Sequence, residues 1–190
     1  MSASSMKQEF SVSRILPVVM SAVTLLLASA AQAASPGIKG ASFALTANPA
    51  FISQPDGNYV YSWGYGCVAS PAVGAFAPAM ANATPSCSTM QIPGPTLIVT
   101  APATGTATVT VSLTNNLPAA AGNTSILFPG FQVSTSGGVT GLLTQEAPPA
   151  GATKTVTYTL TIPSTAAGTH SYYSGTQGDL QVEMGLYGAI

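Results

Sequence analysis

Residues 106–114 read TATVTVSLT. Val109, Val111 and Leu113 alternate with Thr108, Thr110, Ser112 and Thr114, so one face is apolar and the other carries hydroxyls. Strict period-two alternation of β-branched residues marks a half-buried antiparallel strand. The pattern returns at residues 155–162, TVTYTLTI, with Val156, Tyr158, Leu160 and Ile162 on the apolar face. Working outward, shorter runs at residues 42–46, 59–63, 96–100, 125–131, 169–173 and 186–190 read as further strands. Breaks rich in Pro and Gly separate them, among them residues 92–95 (IPGP), 117–118 (LP) and 147–151 (APPAG). No helix of useful length shows a 3.6-residue period. Short strands at near-regular spacing with turn signals between them predict an all-β sandwich.

Upstream, the chain opens like an exported protein. Lys7 and Arg14 lie in residues 1–14, and residues 15–30 form the apolar run ILPVVMSAVTLLLASA. Ala31-Gln32-Ala33 supplies the small residues of a cleavage site, which places the cut between Ala33 and Ala34. Residues 1–33 therefore read as a helical signal peptide and residues 34–190 as one domain. The expected location is the periplasm or the exterior, with no membrane association after cleavage.

Beyond that site the only bases are Lys39 and Lys154, and the acids are Asp56, Glu146, Asp179 and Glu183. So few charges exclude an electrostatic nucleic-acid binder, which needs clustered Lys and Arg to neutralise phosphates. The apolar fraction, 46%, is too high for a disordered chain. The faces expected to meet solvent are mostly Thr, Ser and Ala. Edge strands ordinarily carry charges that block pairing with neighbours, and here they are nearly bare.

Cys67 and Cys87 are the only two cysteines. In an oxidising compartment a disulfide is the default for such a pair. It would close a loop of roughly 20 residues, a constraint of about 3 kcal/mol in the chain-entropy view. The alternative, a thiolate metal site, wants further Cys or His nearby in sequence, and none is there. Residues 68–86 between the cysteines are rich in Ala, Pro, Met and Gly and predict a stapled loop with at most a short helix.

His170 is the only histidine, within GTHSYYSGT at residues 168–176. A nucleophilic triad needs a base held beside the nucleophile, and no carboxylate lies within a few residues of His170. A blue copper centre needs two His and one Cys. Trinuclear copper needs His-x-His pairs, whose alternate residues point the same way on a strand. The chain has neither set, so no catalytic and no metal-binding residue is assigned.

The order QIPGPTLIVTA, VTVSLTNNLP, TSILFPGF, APPAGATKTVTYTLTIPSTAAGTHSYYSGT and LQVEMGLYGAI resembles the N-terminal plastocyanin-like domain of multicopper oxidases. The resemblance covers residues 90–190, and YSWGYGC at residues 61–67 resembles an upstream segment of a bacterial branch. It implies a Greek-key cupredoxin sandwich in a family of copper-dependent oxidoreductases. It also implies two His-x-His pairs. The first falls in a Ser-Ile-His-x-His-Gly context, where this chain has Leu127 and Pro129 at the ligand positions. The second falls in a Gly-Thr-x-x-Tyr-His-Ser-His context, where it has Tyr173 and Gly175. His170 lies three residues before Tyr173, an odd offset that puts it on the opposite face of a strand.

The expectation is therefore a cupredoxin-like domain that has lost its share of the copper ligands. It would act as a structural, packing domain of a larger oxidoreductase-like chain and would not be catalytic alone. Copper would be held by other domains, the partners being further cupredoxin domains of the same protein or a homo-oligomer. The apolar strand at residues 186–190 has no turn or polar tail after it, which reads as truncation at the C-terminus. The alternative is a secreted structural or adhesive β-sandwich that assembles through its charge-poor edges.

Overall fold

A computed structural model of the chain describes residues 37–79, 87, 90–149 and 154–190. The expected signal peptide, residues 1–33, and its Ala33–Ala34 cleavage site lie outside the described residues.

The fold is all-β. Among the described residues twelve strands run in chain order: β1 (Gly37–Lys39), β2 (Ser42–Ser53), β3 (Tyr59–Cys67), β4 (Phe76–Ala77), β5 (Leu97–Ile98), β6 (Thr106–Asn115), β7 (Gln132–Gly137), β8 (Val139–Thr140), β9 (Gln145–Glu146), β10 (Thr155–Pro163), β11 (Ser171–Tyr173) and β12 (Tyr187–Ala189). The main sheet has the order β3-β2-β6-β10-β7. β1 joins β4 and β5 in a second sheet, and β11–β12 and β8–β9 are two-stranded pairs.

The alternation in β6 and β10 explains the main sheet. The two strands pair antiparallel with Leu113 opposite Val156, Val111 opposite Tyr158 and Val109 opposite Leu160. β2 lies parallel on the other side of β6, with Phe43 beside Val111 and Leu45 beside Leu113. All these side chains are buried, each contributing about 1.5–3 kcal/mol relative to exposure. The intervening hydroxyls face outward, where the Thr114 and Thr155 Oγ1 atoms lie 3.0 Å apart in a hydrogen bond. The inner face meets a second layer built from β11, β12 and the segment before β7. Ring centroids of Tyr65 and Tyr172 are 5.6 Å apart, those of Phe128 and Tyr158 5.9 Å.

β2 and β3 continue past β6 as a hairpin arm, paired to Ser53 opposite Tyr59. Its turn is closed by Asp56, whose carboxylate accepts from the backbone N–H and Nδ2 of Asn58. Those bonds hold the Asp56 carboxyl below the usual range. Gly57 has φ 85°, a conformation that favours glycine. At the other end of β3, Cys67 and Cys87 form the expected disulfide, with Cα atoms 5.0 Å apart. The Cys67 N–H also donates to the Cys87 carbonyl. Between the cysteines the described chain holds a 3₁₀ turn at Val73–Ala75, then β4.

One strand expectation is corrected. Residues 125–131 are not a strand; they contribute only an isolated bridge, Leu127 to Tyr173, beside a second from Thr124 to Ala147. Pro129 lacks an N–H to continue a ladder and Gly130 turns the chain at φ 91°. β7 went unread because QVSTSG has no apolar alternation; it is an edge strand, exposed along most of its length.

Candidate functional site

The positions that the resemblance makes significant lie mostly together. One of the two isolated bridges in residues 124–131 joins Leu127 to Tyr173: the Leu127 N–H donates to the Tyr173 carbonyl at 2.8 Å and the reverse bond is 3.3 Å. Two residues on, Gly175 packs against the Leu127 side chain. A β-carbon added to Gly175 would lie 2.7 Å from Leu127 Cγ, closer than carbon atoms pack. Leu127 thus occupies the space a side chain at 175 would need. Pro129 and Leu127 line one wall of an open cleft of about 350 Å³ whose other walls include Phe131, Val133 and Leu143.

Copper binding calls for imidazole or thiolate donors. Leu127, Pro129 and Gly175 present none, and Tyr173 presents one phenol. Among the described residues no three His, Cys, Asp or Glu side chains gather as a metal set. The residues at this place do not fit a copper ion, on the chemistry of the donors and on the filled space between 127 and 175.

His170 stands apart. Its backbone pairs with Ile190, continuing the β11–β12 ladder in which Tyr172 faces Gly188 and Tyr173 faces Tyr187. Alternation puts His170 on the Tyr172 side and Tyr173 on the other, as the offset in sequence predicts. The imidazole packs on Phe131 with ring centroids 4.6 Å apart, and its Nε2 bonds the Ala166 carbonyl at 3.1 Å. It has the contacts of an ordinary strand residue.

What surrounds the Leu127–Tyr173 bridge is a polar network that the sequence did not announce. Thr124, Ser125, Ser174, Thr176 and Gln181 are all buried. Hydroxyls of Thr124 and Ser174 donate to Gln181 Oε1 at 2.9 and 2.6 Å. Gln181 Nε2 donates to the Asn123 carbonyl at 2.7 Å. A second chain runs outward. The Gly175 N–H donates to Ser125 Oγ at 3.2 Å, and Ser125 and Thr176 hydroxyls share a 2.9 Å bond. Thr176 Oγ1 donates to Glu146 Oε1, also at 2.9 Å. Because the Thr176 proton goes to the carboxylate, Ser125 must be the donor to Thr176. Asn123 Nδ2 holds the second Glu146 oxygen at 3.1 Å. The single helical turn at Gly178–Gln181 positions Gln181 for this role. The partners lie 50 or more residues apart in most of these bonds, so no local pattern marks them.

Three buried tyrosines lie beside the network, and one of them bonds a member of it. Tyr65 Oη donates to the Ser125 carbonyl at 2.8 Å, Tyr158 Oη to Gln145 at 3.0 Å, and Tyr172 Oη to Pro95 at 2.6 Å. Burial pushes all three phenols above the usual tyrosine range. They are protonated donors and act as struts. Chemically the site is closed: hydroxyl protons are committed to fixed acceptors, and the space between the significant positions is filled by hydrocarbon.

The sequence pattern of a family described as multicopper oxidase matches residues 79–190, more than half of the chain. No curated protein matches it. Among solved structures, a multi-copper oxidase from Pseudomonas thermotolerans is similar at 18% identity and a TM-score of 0.49, over 80% of this chain and 29% of its own. A second structure described as a multicopper oxidase is similar at 20% identity and a TM-score of 0.44, over 78% of this chain and 40% of its own. The chain therefore spans less than half the length of either.

Proposed function

The chain belongs to the multicopper oxidase family, and on that premise we propose that it is an exported cupredoxin-like packing domain of an oxidoreductase-like protein, without copper at the positions where the family pairs its histidines. Copper, where the working protein uses it, is then held by further cupredoxin domains. The observation that carries this reading is the Leu127 side chain, which fills the space beside Gly175 while its backbone bridges Tyr173. The buried hydroxyl network supports it as well, since it satisfies its own groups and offers no free donor set. A packing role is supported by the apolar cleft beside Leu127 and Pro129 and by the hairpin tip that flanks it. Leu142 and Leu143 at that tip are 93% and 64% exposed, an apolar surface suited to another domain.

The test is metal content. The purified chain is incubated with excess copper, desalted, and analysed for copper per chain and for oxidation of a phenolic substrate. Copper well below one ion per chain and no oxidation are expected. One tightly held copper per chain, or turnover, would overturn the reading.

A further inference from the structure

Among the described residues, the outer edge of β3 is covered along only half its length. The Trp63 N–H donates to the Met184 carbonyl at 2.8 Å, the Gln91 N–H donates to the Tyr65 carbonyl at 3.1 Å, and Cys67 bonds Cys87. These bonds show that odd-numbered residues of β3 turn their backbone groups away from β2. Tyr59 and Tyr61 follow the same alternation. Among the described residues, no backbone group pairs with their outward N–H and C=O groups. The side chains on this stretch are exposed as well: Tyr59 70%, Val60 45% and Tyr61 41%, with Phe51 at 66% in tilted ring contact with Tyr61, centroids 5.3 Å apart. No charge lies between Tyr59 and Cys67, so the usual protection of an edge strand is missing. The arm's other margin does have it. Pro49, opposite Trp63, has no N–H to offer where β2 runs past β6.

We infer that this edge joins a second copy of the chain, β3 against β3, antiparallel about a twofold axis at Val60. The occupant is argued from the edge itself. Tyr59 and Tyr61 are both outward residues, two apart, each with one donor and one acceptor. A twofold axis at Val60 sets Tyr59 opposite the other copy's Tyr61 and Tyr61 opposite its Tyr59. All four outward groups on each copy are then paired, in the self-complementary manner of a twofold interface. The same operation brings the exposed aromatic faces of the two arms together. The two arms oppose no like charges within the paired strands, so nothing electrostatic resists the pairing.

Sedimentation equilibrium of the purified chain across a concentration series tests this. A two-chain mass is expected, dissociating on dilution, with a change in the fluorescence of Trp63, the only tryptophan. Tyr61→Pro removes an N–H that β2 does not use, and the change acts twice in the dimer. It is expected to raise the dissociation constant about tenfold or more while leaving the far-ultraviolet circular dichroism unchanged. Tyr61→Lys keeps the N–H but sets a charge at the edge of each copy, and the same weakening is expected; it decides the matter should the proline variant not fold. A single-chain mass at every concentration overturns the inference, as does a folded variant that associates as tightly as the parent. Self-association at this edge does not depend on copper, so its failure and that of the packing-domain reading are separate results.

Discussion

Gln181 ties the two halves of the buried polar network together. Its amide is fully enclosed, with Oε1 accepting from Thr124 and Ser174 and Nε2 donating to the Asn123 carbonyl. Gln181→Leu keeps the volume near its present value but strands those three partners. The expected loss is about 2–4 kcal/mol, since each buried group left unpaired costs about 1–3; urea denaturation of parent and variant reads it directly. Leu127 and Gly175 could be singled out from the sequence because each falls at a fixed offset inside a short motif. Gln181 could not, because its partner Thr124 is 57 residues away and nothing near it in the chain signals burial.

Among the elements, the β3 end and its disulfide were legible for a chemical reason: two cysteines with no other Cys or His near them in sequence have few alternatives. The double variant Cys67→Ser, Cys87→Ser frees a loop of sequence separation 20, and a loss of about 3 kcal/mol is expected from the restored chain entropy. Thermal melts with and without reductant give the same comparison in the parent chain. β6 and β10 were legible because both faces announce themselves, apolar inward and hydroxyl outward. β7 was not, because an edge strand that buries nothing leaves no apolar trace. Residues 125–131 looked like a strand from their apolar content, but Pro129 and Gly130 reduce them to one bridge.

At the scale of the molecule, the interlayer contact is made by phenol rings. Tyr65, Tyr158 and Tyr172 have pKa values raised by burial above the ordinary 10.0 that they regain on unfolding. The folded state therefore holds their protons more tightly than the unfolded chain. The stability this gives is fully present below about pH 10 and is lost as the pH climbs through the unfolded value toward the folded ones. Thermal melts from pH 7 to 11 should show a plateau followed by a steep fall. The tyrosinate absorbance of these three residues should appear only together with unfolding; its appearance in a still-folded chain would contradict the buried-strut role. The sequence by itself determined the all-β class and the pairing of the cysteines, because those rest on residue chemistry and on periods of two. Tertiary structure alone decided that Leu127 fills the space beside Gly175, that Glu146 and Gln181 anchor a buried network, and that the described residues leave the outer edge of β3 half uncovered. Those depend on which distant backbone segments come within hydrogen-bonding reach, a relation set by packing and carried by no local pattern.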